Sequence, residues 1–449
     1  MPPTLPTRRL PGPSPRPGAG TGGELLAVRR WFTIQYEDHG GEHRMDGAAI
    51  VEQLMTTEVT RDPYPLYARA RELGPVIDAG GGVYLATGYA AVNRALRTPG
   101  FGVVTGDMMV EFDAQYGQHE SLVLFGRSIL QRNAPDQPRV RSLIASVFTA
   151  RRVAQLRPAV EAAVARLLDG MAEQGADGSP VDFMDAFAFR LPVGVVCELL
   201  GVPERDRYRF RGLASDLTVA LEMFQSPDDL ARADEAAVEL SRYFRELAAE
   251  RVADPKDDLV TDLARIAAED DDRLSAEELL ANLVLLLIAG FETTTNLLGN
   301  GLAQLFRHPE AAAGLRSGAV TPGGFTDEVL RFDSPVQATS RIALADGLSL
   351  EGVPVPLGSM LTLLIGSANH DPQRYERPEV FDPTRTDSQP LSFGGGTHFC
   401  LGSQLARTEA EVAVPALLDR FPRLAPGGPA TRRDRLILRG FEALPVTVR

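Results

Sequence analysis

Lysine is almost missing from this 449-residue sequence: of 46 basic residues only Lys256 is a lysine. That bias reads as GC-rich coding, not as a functional signal. Cysteine is scarce as well. Cys197 and Cys400 are the only two, too few for a disulfide framework, which fits a reduced, cytoplasmic protein. Positive charge is in deficit, since 60 acidic residues against 46 basic ones give a formal charge of −14. Binding phosphate backbones needs a basic surface, so the balance argues against a nucleic-acid partner, though it leaves room for a local basic patch. Long apolar runs are lacking. The longest candidate, Leu283 to Ala289, falls far short of the ~18–20 residues that span a bilayer. No signal-peptide core is present, and Arg8-Arg9 runs straight into Leu10 and Pro11, which is no twin-arginine signal. No membrane association is expected.

What remains is ordinary globular composition, 44% hydrophobic and 24% charged, enough to build a core. Residues 1–20 hold seven prolines and no acidic residue. Such a stretch buries nothing and is expected to be disordered. Met45 stands in frame just before the first helical pattern. Residues 1–55 are therefore assigned to a disordered or misassigned N-terminal extension, and 56–449 to a single domain. Short strand-like pieces occur near 75–87 and 337–365. Helical patterns cover about 138–148, 151–175, 182–200, 204–250 and 404–420, the last with Pro415 inside it, where a kink is expected. Residues 98–131 read as a long loop, and long loops in compact domains are usually functional. The clearest helix is 276–307. Ser275 and Glu278 make an S-x-x-E capping box, and the apolar middle, greasy on every face, marks a helix that runs through the core.

The most informative stretch is Phe393-Gly394-Gly395-Gly396-Thr397-His398-Phe399-Cys400-Leu401-Gly402. Three glycines permit close approach. A cysteine at the start of a helix is biased toward thiolate, the form that binds metal. Zinc is a poor reading because no second cysteine or Cys/His pair stands at metal spacing. A nucleophile reading is poor too, since His398 is badly placed to act on the sulfur two residues away. A buried free thiol is the ordinary fate of a lone cysteine, and it suits Cys197, which lies in an apolar run. Within the long helix, Ala289-Gly290-Phe291-Glu292-Thr293-Thr294 puts an acid beside an alcohol, a pair able to relay protons. Gly290 leaves room for a ligand, Thr293 can bond back to the Ala289 carbonyl, and burial should raise the Glu292 carboxyl. Glu328 and Arg331 form E-x-x-R, by itself a common helical salt bridge.

The glycine-cysteine stretch resembles the heme-binding signature F-G-x-G-x-H-x-C-x-G of the cytochrome P-450 family at every fixed position. Leu405-Ala406-Arg407 continues the likeness, and the helix motif resembles the family's A-G-x-[DE]-T. The resemblance runs from about residue 60 to the C-terminus. It implies a mainly α fold with small β-sheets (α+β), a long central helix over a buried heme b (iron protoporphyrin IX), and O2 as co-substrate. It makes Cys400 the axial ligand of the heme iron, and Thr293 and Glu292 the proton-delivering pair. Ala289, Gly290 and Phe393 would lie against the heme, with Gln137, Arg141, Arg341 and His398 as donors for its propionates. Arg385 would join Glu328 and Arg331 in a structural triad.

A thiolate ligand favours O–O cleavage, so the implied activity is monooxygenation, the hydroxylation or epoxidation of a largely hydrophobic small molecule. By family position the pocket uses 98–131, about 212–235, 285–289, 336–339 and 440–443, including Met108, Met109, Phe112, Leu286, Val336 and Phe441. Leu221, Met223 and Phe224 add to that apolar lining. The chain looks most like actinobacterial members that tailor polyketides, macrolides or terpenoids. With 49 residues after Cys400, electrons are expected from a separate ferredoxin and ferredoxin reductase. Arg139, Arg141, Arg151, Arg152 and Arg407 would attract an acidic donor to a monomer. The alternatives are another oxidation on the same scaffold (ring coupling, desaturation, peroxide-driven turnover) or a non-catalytic recruitment module. The intact Cys400 and Glu292-Thr293 pair weigh against the last.

Overall fold

The computed structural model describes residues 42–113, 115–148, 150–222 and 225–448. The expectation for residues 1–20, and the placement of Met223 and Phe224, lie outside them. The helix Glu42–Leu54 falls within the stretch assigned to the extension. It packs through Ile50, Val51 and Leu54 against Tyr67, Leu85 and Leu364, so this part of 1–55 is built into the core. The helical pattern after Met45 was legible, but its burial was not, because that burial comes from tertiary partners and not from a strong local pattern.

The long helix Ala276–Arg307 organises everything else. Its start follows from chemistry: the Ser275 hydroxyl accepts from Glu278 N–H, and the Glu278 carboxylate accepts from Ser275 N–H, both at 3.1 Å. It stops at His308, before Pro309. At 1.5 Å per residue it is about 48 Å long. By length and hydropathy this helix matches a membrane span, which the run-length argument missed. Most of it is buried inside the protein, as a core helix requires. On one side pack the helices Arg190–Leu200 and Pro227–Ala253, and on another Ser403–Arg420. Pro415 sits inside that last helix without ending it.

Two large apolar clusters flank the long helix, one through Leu297, Leu298 and Leu302 and the other through Leu283, Val284 and Leu287. Each fully buried leucine contributes about 1.5–3 kcal/mol. Beside them lies a five-stranded sheet in the order Val76–Gly80, Val83–Ala86, Met360–Leu363, Thr339–Ala343, Phe101–Gly102. Only Val83–Ala86 and Met360–Leu363 run parallel; the register of Thr339–Ala343 pairs Arg341 with Leu361.

Three sequence expectations change. Residues 98–131 are not one loop, because Thr105 caps the helix Gly106–Phe112 and a second helix covers Glu120–Arg127. These short helices have no local pattern strong enough to show. The run 182–200 begins as a strand and a π-turn before Arg190. The run 204–250 splits, with Ser226 capping a separate helix from Pro227 through a box with Asp229.

Candidate active site

Gly394 and Gly396 adopt φ +70° and +64°, a region that penalises any Cβ. A Cβ on Gly396 would stand 2.3 Å from the Leu96 carbonyl oxygen. The cysteine loop can therefore press onto the end of the helix Tyr89–Arg97. Cys400 N–H closes the loop on the Phe393 carbonyl at 3.0 Å, and the Arg407 guanidinium covers the Phe393 ring at 4.9 Å. From the helix Asp136–Val147 two side chains one turn apart reach the loop. Gln137 Nε2 donates to the Thr397 carbonyl at 2.8 Å and Arg141 Nη2 to the Phe399 carbonyl at 2.5 Å. These two hydrogen bonds hold the loop in place from outside.

The Cys400 side chain is exposed, yet its thiol pKa is pushed up, chiefly by burial, against the pull of Gly402 N–H, Arg141 and Ser403 N–H. Both hold for a side chain that is open on one side and crowded by protein on the others. The helix end does act in the expected direction, but desolvation outweighs it. A coordinating metal reverses that balance by deprotonating the thiol outright. Burial together with the cations Arg341 and Arg141 holds the His398 imidazole down to about 4, so it is neutral and keeps one N–H donor.

Arg341 is 4% exposed, and burial alone pulls its guanidinium down to about 10. Its one hydrogen bond goes to the Ser340 carbonyl at 2.7 Å. Among the described residues no carboxylate pairs with it. A buried cation without an anion is costly and marks a place where an anionic group fits. Replacing Arg341 with Leu should therefore have opposite effects in two states. Heme-free protein is expected to melt no lower than wild type, because an unpaired buried charge is removed. Heme affinity is expected to fall about 10–100-fold, the size of one lost charge-assisted contact. Thermal melts with and without heme, beside a heme titration, check both signs.

On the long helix the burial pattern is broken along one line. Leu286, Ala289, Gly290 and Thr293 are accessible where their neighbours are buried. The spacing i, i+3, i+4, i+7 is one helix face, and it opens in the middle of a core helix. Thr293 Oγ1 donates to the Ala289 carbonyl at 3.1 Å. Gly290 has a different reason from the expected one: its Cβ would meet Val196 at 2.6 Å, so glycine is needed for packing on the helix Arg190–Leu200. Glu292 points away from this face. It is 3% exposed and ion-paired with Arg433 Nη1, not left in the apolar surroundings expected for it.

The remaining candidates separate. Glu328 binds Arg331 at 2.7 Å and Arg385 at 3.4 Å, so the three are brought together. Met108 and Met109 are half-buried and Phe112 is exposed on the helix Gly106–Phe112. Val336 is half-buried beside the sheet cluster. Phe441 is not part of the cleft; it lies in the core with Phe183 and Leu297, under the Arg432 guanidinium at 4.0 Å. Of the expected docking arginines, Arg139 is tied to Glu278, Arg152 to Asp262 and Arg407 to Asp327. Arg433 escaped sequence reading altogether, since its partner lies 141 residues away.

The donor set fits a heme: one soft sulfur on a glycine loop, a free buried guanidinium, a neutral imidazole, and a small-residue helix face. Bound there, Cys400 would ligate the iron while Arg341 and His398 would meet the propionates. Comparison with known proteins agrees. The profile of the family described as Cytochrome P-450 matches residues 214–318 and 325–438. The chain is 36% identical to the cytochrome P-450 monooxygenase PikC of Streptomyces venezuelae, over 86% of this chain and 91% of that one. It is 37% identical to the 6-deoxyerythronolide B hydroxylase of Saccharopolyspora erythraea, over 86% and 96%. Ligand-free CYP164A2 of Mycobacterium smegmatis superposes with a TM-score of 0.80 at 34% identity, covering 89% of this chain and all of that one. With its loop cysteine, its heme-fitting donors and these relatives, the chain belongs to the cytochrome P-450 family, enzymes that use heme iron and O2 for monooxygenation.

Proposed function

We propose that this enzyme hydroxylates or epoxidises a largely hydrophobic small molecule in the tailoring of a natural product. For hydroxylation the balance is RH + O2 + 2 e− + 2 H+ → ROH + H2O. The observation that carries the reading is the accessible face Leu286-Ala289-Thr293 in a helix otherwise buried. It offers apolar contact and one hydroxyl. Leu286, Val336, Met108 and Met109 supply apolar surface for the substrate. The hydroxylase relative is named for acting on 6-deoxyerythronolide B, which supports a bulky, mostly apolar substrate. A ferredoxin with its reductase is the proposed electron source, reaching a cytoplasmic monomer. Arg151 is exposed and remains for such docking, whereas Arg139, Arg152 and Arg407 are already ion-paired with carboxylates of this chain.

Bound heme supplies the reductive activation of dioxygen. The chain supplies the protons. Thr293 Oγ–H now donates to the Ala289 carbonyl, and rotation of the hydroxyl turns that donor into the cleft. Glu292 lies next in sequence, about 100° around the helix, and is the acid assigned to resupply Thr293 with protons.

Thr293→Ala tests the reading. Reductant consumption is expected to continue while product per electron pair falls roughly 10²-fold, the usual weight of one positioned proton donor. The missing electrons should appear as hydrogen peroxide. Unchanged product yield would remove Thr293 from the chemistry. Screening apolar compounds for a heme spin-state shift, then analysing products, identifies the substrate.

A further inference from the structure

Four arginines crowd into residues 432–439, and each is pinned. At one end Arg432 donates to Asp333 Oδ2 at 2.7 Å and to Asn300 Oδ1 at 3.1 Å. At the other Arg439 Nε donates to Asp333 Oδ1 at 2.9 Å. Asn300 lies on the long helix, so both ends of this strap are anchored beside it. The middle reaches two different places. Arg433 Nη1 pairs with the Glu292 carboxylate, and its Nε stands 3.4 Å from Glu442 Oε2. Two residues later, Arg435 donates to Thr218 Oγ1 and to the Ser215 carbonyl, both at 2.8 Å.

The grip from the opposite side is tighter. Glu222 accepts backbone N–H groups from Leu436, Ile437 and Leu438 at 3.2, 2.9 and 3.1 Å. Ser215, Thr218 and Glu222 belong to the helix Phe210–Thr218 and the turn that follows. That helix packs on the long helix and on Pro227–Ala253.

We propose that the strap couples the seating of this helix and turn to the position of Glu292, with Arg433 as the positioning residue. The inference rests on the proton-delivery reading of Thr293 and Glu292. Its physical basis is the cost of leaving groups unpaired. If the turn lifts alone, three strap N–H groups lose their acceptor, which is costly where they are buried, so the strap follows the turn. Arg433 then moves with it. The Glu292 carboxylate, 3% exposed, cannot stay behind without its cation, because a lone buried charge is costlier still. A seated turn thus holds Glu292 in one place, and a lifted turn draws it, still paired with Arg433, to another.

The test uses the full-length holoprotein with Arg433→Ala, Arg433→Lys and Glu222→Ala, each first shown to give the thiolate-type carbon monoxide spectrum. Two quantities are read: deuterium uptake by peptides covering 210–222 and 433–438, and product per electron pair with its solvent isotope effect. Glu222→Ala should raise uptake in both peptides. It should lower coupling about tenfold, in the direction of Arg433→Ala and with the same change in isotope effect. The double variant should be no worse than the poorer single one, and Arg433→Lys should recover most of the loss. Should Arg433→Ala fail to load heme, Arg433→Lys and Glu222→Ala carry the comparison. Glu222→Ala that loosens the turn but leaves coupling and isotope effect at wild-type values overturns the proposal. If Thr293→Ala uncouples while both strap variants stay coupled, the strap alone is wrong; if Thr293→Ala changes nothing, the relay reading fails first.

Discussion

Replacing Cys400 with alanine is expected to abolish both the thiolate-type spectrum and turnover. Reduced wild-type protein with carbon monoxide should show the strongly red-shifted Soret band of sulfur ligation, and the variant none of it. The expectation follows from how the sulfur is presented. Gly394 and Gly396 fold the loop against Leu96, Gln137 and Arg141 hold the carbonyls of Thr397 and Phe399, and Gly402 and Ser403 direct N–H groups toward the thiol. N–H groups and a guanidinium beside a sulfur temper its electron donation to a metal. The other cysteine cannot take over. Cys197 is fully buried in an apolar cluster, and burial pushes its thiol up to about 12, so Cys197→Ala should leave the band unchanged. Cys400→Ser keeps the shape but offers a harder oxygen and should also lose the band. A red-shifted band that survives Cys400→Ala would sink the assignment, and monooxygenation by this route with it.

What could be read from the sequence was local. The long helix was legible to the residue because a capping box begins it, a proline follows its end, and its middle is apolar on every side. The cysteine loop was legible because glycines, a histidine and a cysteine at fixed spacing have few other uses. What could not be read depends on partners far away in the chain. Glu292 looked like an isolated acid because Arg433 is supplied by a hairpin near the C-terminus. That Gln137 and Arg141 hold the cysteine loop was not legible, because the carbonyls they bind lie some 260 residues on. Gly290 looked like space for a ligand, while its missing side chain makes room for Val196. Phe441 was apolar and near the expected pocket, but a strand register decides which way it faces, and here it faces the core.

The arginines show the same division between composition and placement. A chain with 46 basic residues offers many candidates for an acidic electron donor, yet three of the five singled out, Arg139, Arg152 and Arg407, are already paired with carboxylates of the same chain. Arg139 closes the capping box of the long helix from outside through Glu278, and Arg407 joins Asp327 while covering Phe393. Arginine suits such duty because its planar fork binds carboxylates and carbonyls together.

The largest stability effect is expected at Glu328. Its carboxylate is 0% exposed and meets three donors: Arg331 at 2.7 and 2.8 Å, Arg385 at 3.4 Å, and the Asp382 N–H at 2.8 Å. Arg331 is also 0% exposed. It would keep its bonds to the carbonyls of Asn369, Pro378 and Val380, but those carry no charge. Glu328→Ala therefore leaves a buried guanidinium uncompensated and should destabilise by about 3–5 kcal/mol. In a protein of this size that lowers the melting temperature by about 3–6 °C. The damage should reach the heme site by a short route. Leu330, on the same helix as Glu328, accepts from Ser392 Oγ at 2.6 Å, and Asn369 Oδ1 accepts from Leu391 N–H at 2.9 Å. These bonds fix the start of the loop that ends at Cys400. On heating, Glu328→Ala should lose its red-shifted carbon monoxide band before its helical signal, whereas wild type loses the two together. Glu328→Gln keeps an acceptor but no charge, and should fall between them. Melting of Glu328→Ala within about 2 °C of wild type would mean that Arg331 finds another anion, and that the three residues are not the brace their geometry describes.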